Sequence, residues 1–152
     1  MNGYTLYSNL TGRGSAIHIS QPLDAMELQL NTDNEACVWA TVKLKGPDKL
    51  IIGVVFRSPS SCETQNQRLL KTLNEAVGGD DEEYSHVFIM GDFNCPERDW
   101  AIKNMSVTEH HPANDFLNMT KDYFLHQHVK HPTHYHGLQL ANILDLIFMN
   151  EK

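Results

Sequence analysis

Two carboxylates and an amide stand out in this chain because apolar residues surround them. The first pair ends the run His86-Val87-Phe88-Ile89-Met90-Gly91-Asp92-Phe93-Asn94. A short, continuous apolar run predicts a strand buried on both faces, and Gly91 relaxes the backbone where that strand leaves the sheet. If Asp92-Phe93-Asn94 stays extended, Asp92 and Asn94 share one side and Phe93 takes the other. A hard oxygen ligand then sits beside an amide donor at the C-terminal end of a buried strand. That is the edge where open α/β sheets bind ligands. The same two residues also make good turn caps, and the stretch alone fits either role. The second carboxylate, Asp145, lies within Ile143-Leu144-Asp145-Leu146-Ile147-Phe148. A charge inside so apolar a strand is costly unless it is paired or bound to a metal.

Other reactive side chains carry weaker signals. Arg57 and Ser58-Pro59 follow the strand end at Phe56, where Arg57 serves equally well as a phosphate contact or as a solvated cation. Arg98, Asp99 and Trp100 lie just past the central motif, as substrate contacts or as a surface loop around a half-buried Trp. Seven of the nine histidines fall between His110 and His136, including His126, His128, His131, His134 and His136. Alternating His can grip zinc, but without Cys or Glu at matched spacing a polar strand and loop explain them better. No His or Asn motif supports a cysteine nucleophile.

The elements that must position these groups can be read from periodicity. Short strands are expected around Tyr4–Tyr7, over 14–20, and around Met26, Leu28 and Leu30. Cys37 to Leu44 alternates, Lys45-Gly46-Pro47-Asp48 is a turn, and Leu50 to Phe56 is apolar enough to be central. Together they predict an antiparallel hairpin. Ser60 and Glu63 fit a capping box, followed by a helix to Val77 that stops at Gly78-Gly79. Residues 50–91 therefore read as strand, helix, strand, a crossover that gives parallel strands within one sheet. Pro112 suits a first helical position ahead of Phe116, Leu117 and Thr120. Phe124 to Val129 is a further candidate strand, and residues 131–142 form a loop.

Length and charge set the outer bounds. The 152 residues, 41% hydrophobic and 20% charged, make one globular domain spanning 1–152 or part of one. No apolar segment is long enough to cross a bilayer. Three cysteines, an odd count, point to a reducing intracellular compartment. A net charge of −7 argues against gripping nucleic acid with the whole surface. It leaves room for an acidic metal site, because a divalent ion reverses the local field.

Four motifs in order resemble a known family. Gly12-Arg13-Gly14-Ser15-Ala16-Ile17-His18 is similar to a glycine-rich strand, and Gly53-Val54-Val55-Phe56-Arg57-Ser58-Pro59 to a "VGVVYRPP" strand. Gly91-Asp92-Phe93-Asn94 matches "GDFN", and Thr133 with Leu144 to Asn150 matches a Thr followed by "LDLIFTN". The chain resembles the endonuclease/exonuclease/phosphatase superfamily, most of all the endonuclease domain of non-LTR retrotransposons. The resemblance implies a four-layer α/β sandwich: two packed mixed sheets with outer helices, incomplete here at both ends. It implies hydrolysis of a DNA phosphodiester with Mg²⁺ or Mn²⁺, as in a nicking endonuclease of a retrotransposon polyprotein. That parent would be nuclear and would carry a C-terminal reverse transcriptase domain.

By position, Asp92 resembles the carboxylate that binds metal and activates or orients the attacking water. Asn94 resembles the amide that holds a phosphate oxygen, Asp145 the acid that orients a catalytic histidine, and Thr133 a hydroxyl near the phosphate. Such donors and a placed base are what attack on an anionic diester requires. The chain departs from the pattern as well. The family's strands bearing an Asn and a metal-binding Glu come before the glycine-rich strand, and its Ser-Asp-His strand would lie beyond Lys152. Phe56 stands where the family usually has Tyr. These departures imply a fragment that is weakly active or inactive by itself. Its rivals are a phosphatase or phospholipid diesterase of the same superfamily, and a non-catalytic remnant that binds a metal or a partner.

Overall fold

The hairpin expected over 37–56 is the centre of the molecule. The computed structural model describes residues 3–10, 14–32, 37–78, 84–96, 100, 111–135 and 141–151. Ten elements run in the order β1 (Tyr4–Asn9), β2 (Ser15–Ser20), β3 (Asp24–Glu27), β4 (Cys37–Lys43), β5 (Lys49–Phe56), α1 (Glu63–Gly78), β6 (His86–Asp92), α2 (Pro112–Asp122), β7 (His126–Gln127) and β8 (Asp145–Met149). Strands β1 and β2 form a two-stranded sheet, and the other six form a mixed sheet in the order β3-β4-β5-β6-β8-β7. The β4–β5 hairpin is antiparallel and the β5–α1–β6 crossover makes β5 and β6 parallel. Both follow from the sequence pattern.

The described residues build three layers of the sandwich. One face of the six-stranded sheet carries Trp39, Ile51, Val55, Val87, Ile89, Leu146 and Phe148 against Leu69, Leu73 and Ala76 of α1 and Phe116 and Met119 of α2. The opposite face presents Val38, Ala40 and Val42 to Ile17 and Ile19 of the small sheet. That sheet lies over β4 and β5, so β6 is well buried on one face only: Val87 and Ile89 are enclosed, Phe88 and Met90 half-buried. This corrects the expectation of a strand buried on both sides. On the small sheet's outer face Tyr4 and Leu6 are exposed, and no helix among the described residues forms a fourth layer there.

Local chemistry shifted several boundaries. Helix α1 is capped by Cys62, not Ser60. The Cys62 carbonyl accepts the Asn66 N–H at 3.0 Å, and the Gln65 side chain accepts the Cys62 N–H at 2.9 Å. One half of a capping box thus exists two residues further on, with Gln65 in the place given to Glu63. Pro112 does open α2, with His111 Nδ1 accepting the Ala113 N–H at 3.2 Å. The strand expected over Phe124 to Val129 shrinks to two residues. Phe124 takes φ +55 and closes α2, with Phe124 N–H donating to Lys121 and Leu125 N–H to Thr120. That is a Schellman ending with Phe where Gly is usual. Around Met26, Leu28 and Leu30 the strand is Asp24–Glu27 instead. Gly12 and Arg13 of the glycine-rich motif, Gly79, Arg98, Asp99, His110 and His136 fall outside the described residues.

Candidate active site

Gly91 decides where β6 can run. It pairs with Val55 in the parallel register, and a Cβ on Gly91 would lie 1.8 Å from the Val55 carbonyl oxygen. Its φ of +152° is equally unsuited to any other residue. The close approach brings Asp92 beside Phe56 on one flank and opposite Asp145 of β8 on the other.

Beyond Asp92 the chain is not extended. Asn94 adopts φ +47°, the left-handed region that Asn tolerates, and its N–H donates to Asp92 Oδ1 at 3.2 Å. The extended conformation expected for Asp92-Phe93-Asn94 is therefore replaced by a turn, closed by the Asp92 side chain. Phe93 inserts into the core, fully buried, with edge-on contacts to Phe116 and Phe148.

Arg57 is not a residue of the rim. It is 8% exposed and holds the turn from beneath. Its N–H donates to the Asp92 carbonyl at 2.8 Å, its Nε to Asn66 Oδ1 at 2.8 Å, and its Nη1 to the carbonyls of Asn94 at 2.7 Å and Phe93 at 3.3 Å. Asn94 Nδ2 returns a bond to the Arg57 carbonyl at 2.8 Å. The planar guanidinium suits several fixed acceptors at once. Asn94 keeps its second amide hydrogen for other partners.

Asp145 is the first residue of β8 and is exposed, so it is not the buried charge that the apolar run suggested. Directly opposed like charges weaken an antiparallel pair, and here the opposition is felt. Burial raises the Asp92 pKa above its usual value, the Asp145 charge adds to the rise, and hydrogen bonds from Asn94 and the His134 charge pull it down. Thr133 stands next to this pair. Its Oγ1 accepts the N–H groups of Leu144 and Asp145, both at 3.1 Å, tying the 131–142 loop to the start of β8.

The structure thus groups Asp92, Asn94, Asp145 and Thr133 and places Arg57 behind them. It adds His134, which the sequence offered only as one histidine among many. Its adjacency to Thr133 was the one available signal. Three other described histidines have different tasks: His111 caps α2, and His86 and His128 bond Glu151 at the far end of the sheet. Trp100 is half-buried and packs edge-on against Phe148. The described cysteines form no disulfide, and burial pushes the Cys37 thiol up to about 12, which leaves it inert.

Among the described residues, no three His, Cys, Asp or Glu side chains converge as a ready-made metal site. The donor chemistry nevertheless fits Mg²⁺, which is commonly bound through one or two carboxylates with water and substrate phosphates completing its shell. Asp92 and Asp145 supply hard oxygens of that kind, and a cation between them would relieve their repulsion.

Comparison with known proteins identifies the fold and the family. The endonuclease domain of TRAS1, a telomere-specific non-LTR retrotransposon, matches with a TM-score of 0.68 at 12% identity, over 99% of this chain and 67% of that one. D. rerio TDP2 complexed with a single-strand DNA product matches at 0.53 and 14% identity, over 97% of this chain and 62% of that one. An endonuclease/exonuclease/phosphatase family protein from Leptotrichia buccalis matches at 0.51 and 17% identity, over 99% and 62%. The chain therefore spans about two thirds of the first structure and less of the others. No curated protein matches the sequence. The family described as endonuclease-reverse transcriptase matches residues 50–152, the stretch that holds Arg57, Asp92, Asn94, Thr133 and Asp145. The chain belongs to this family and has the α/β-sandwich fold of endonuclease/exonuclease/phosphatase proteins.

Proposed function

We propose that this nuclease-type domain acts on DNA as a Mg²⁺-dependent nicking endonuclease, with Asp92, Asn94, Asp145 and Thr133 contributing to its site. The observation that carries this reading is the register of β6 and β8. It sets Asp92 and Asp145 opposite each other beside an amide and a hydroxyl. In hydrolysis, a water oxygen forms the new bond to phosphorus and the bond to the leaving sugar oxygen breaks. Asp92 orients the water and takes its proton. The leaving oxygen takes a proton from solvent. The free amide hydrogen of Asn94 and the hydroxyl of Thr133 donate to the non-bridging phosphate oxygens, where charge builds up. Bound at Asp92, Mg²⁺ would neutralise phosphate charge and favour a water-derived nucleophile.

On this reading the parent protein works on chromosomal DNA in the nucleus and carries a C-terminal reverse transcriptase domain. No helix among the described residues is long and apolar enough to cross a membrane. The test is relaxation of supercoiled plasmid by the purified chain in Mg²⁺ and in EDTA. Slow nicking that needs Mg²⁺ and disappears in Asp92→Ala supports the reading, and nicking that survives Asp92→Ala refutes it. DNA binding without any nicking would assign the chain to the non-catalytic class. Cleavage of a phosphomonoester or phospholipid but not of plasmid would move it to the other branch of the superfamily.

A further inference from the structure

Helix α1 turns a stripe of residues three or four apart toward the core, and Leu69, Leu73 and Ala76 are buried on it. Asn66 continues the same stripe one turn toward the N-terminus and is 5% exposed. An amide there breaks the pattern twice. Asparagine is a poor residue inside a helix, and a buried amide must find partners. Among the described residues its side chain finds one: Oδ1 accepts the Arg57 Nε–H at 2.8 Å. A residue that breaks the local rules in this way marks a place where a site has to be held.

The partner explains the exception. An arginine side chain is long and flexible, so its guanidinium can act as a clamp only if something fixes its plane. Nη1 reaches the carbonyls of Asn94 at 2.7 Å and Phe93 at 3.3 Å, but both belong to the turn being clamped. Asn66 supplies the fixed point outside that turn. It is anchored in the helix, with its N–H donating to the Cys62 carbonyl at 3.0 Å. The bonds then run from Asn66 Oδ1 to Arg57 Nε, and from Arg57 Nη1 to the Asn94 carbonyl. They return from Asn94 Nδ2 to the Arg57 carbonyl at 2.8 Å. This last bond sets the direction of the remaining Asn94 amide hydrogen.

We infer that Asn66 is a positioning residue for phosphodiester cleavage: from α1 it fixes the Arg57 guanidinium and, through it, the Asn94 amide. The inference rests on the nuclease reading for its reaction. Removing the Asn66 oxygen misaligns a donor and takes away no contact to DNA. A donor displaced by about 1 Å costs about 10²-fold in rate. That donor matters most where phosphate charge builds up, so the loss falls on kcat and not on KM.

The test measures plasmid nicking in Mg²⁺ by wild type, Asn66→Ala and Asn66→Asp, each below the onset of its own melting so that folded protein is compared. The ¹H–¹⁵N resonances of the Asn94 side-chain amide are recorded on the same proteins without DNA. Asn66→Ala should lose about 10–100-fold in kcat with KM unchanged, and its Asn94 resonances should shift. Asn66→Asp keeps an oxygen in the same place and makes the bond to Arg57 charge-assisted, so kcat and the resonances should return toward wild type. If Asn66→Ala does not fold, Asn66→Gln, which keeps the amide but moves its oxygen, is read in the same way. Wild-type kcat in the folded variant overturns the inference. So do unmoved Asn94 resonances, or an Asn66→Asp variant no better than Asn66→Ala. If wild type nicks nothing, the nuclease reading fails, and shifted Asn94 resonances would still assign Asn66 the task of setting the turn. Nicking lost in Asp92→Ala but unchanged in Asn66→Ala would keep the nuclease and remove Asn66.

Discussion

Replacing Arg57 by alanine separates a clamp from a phosphate contact. In the folded protein its guanidinium satisfies Asn66 Oδ1 and the carbonyls of Phe93 and Asn94. Asn66 is 5% exposed and Phe93 fully buried, so two of these acceptors lose their donor where water cannot easily replace it. Each stranded buried group costs about 1–3 kcal/mol. The Phe93 carbonyl keeps a weak bond from Cys95 Sγ at 3.3 Å, which trims the total. The expected loss is about 2–5 kcal/mol, or roughly 4–20 °C in melting temperature for a domain of this size. Arg57→Lys should recover little of it, because a single ammonium cannot span Asn66 and the turn carbonyls together. The assay is urea denaturation followed by tryptophan fluorescence, with duplex affinity measured in parallel. A clamp predicts a large fall in the urea midpoint, with any loss of affinity tracking unfolding. If Arg57→Ala shifts stability by less than about 0.5 kcal/mol yet weakens duplex binding strongly, the guanidinium serves the substrate and the clamp argument fails.

Four other perturbations follow from the same geometry. Asp92→Asn keeps the Oδ1 that accepts the Asn94 N–H, so it should fold while losing Mg²⁺-dependent nicking. Because the folded carboxyl lies above its ordinary value of 3.8, its contribution to stability is present at low pH and is lost as pH rises through the folded value. The variant should therefore be more stable than wild type at pH 7, and that advantage should vanish below pH 3.8; a pH-independent difference in urea midpoints would count against this. Gly91→Ala forces a Cβ into the Val55 carbonyl, and a loss above about 3 kcal/mol or a failure to fold is expected. A melting temperature equal to wild type would show that β5 can move aside. Glu75 accepts from Asn31 N–H and from the Thr32 N–H and hydroxyl, and the Thr32 hydroxyl is the main cause of its lowered pKa. Its contribution is present above the ordinary value of 4.5 and lost as pH falls through the lowered one. Glu75→Gln should cost about 0.5–1 kcal/mol at pH 7 and nothing at low pH, as read from denaturation midpoints. Thr133→Val removes the acceptor for Leu144 and Asp145, and amide exchange at Asp145 should quicken while Thr133→Ser leaves it slow.

The sequence by itself determined the strand-helix-strand crossover over 50–91, the β4–β5 hairpin and the place of Asp92 at a strand end. These rest on local periodicity and turn chemistry, which neighbouring residues dictate whatever the rest of the chain does. It also singled out Asn94, Asp145 and Thr133 through motifs in a fixed order. What it could not carry was anything set by pairing across the sheet. That Asp145 faces Asp92 depends on the β6–β8 register, between residues more than fifty positions apart. That Arg57 is a clamp depends on a turn thirty-six residues downstream, whose carbonyls converge only after Asn94 enters the left-handed region. His134 looked like one of several alternating histidines until the Asn142 bridge tied its backbone to the segment leading into β8. Which groups are candidates for the site was legible in residue types. Which of them touch, and which one supports the others from beneath, was decided by the sheet, because register and burial are properties of pairs of strands rather than of either one alone.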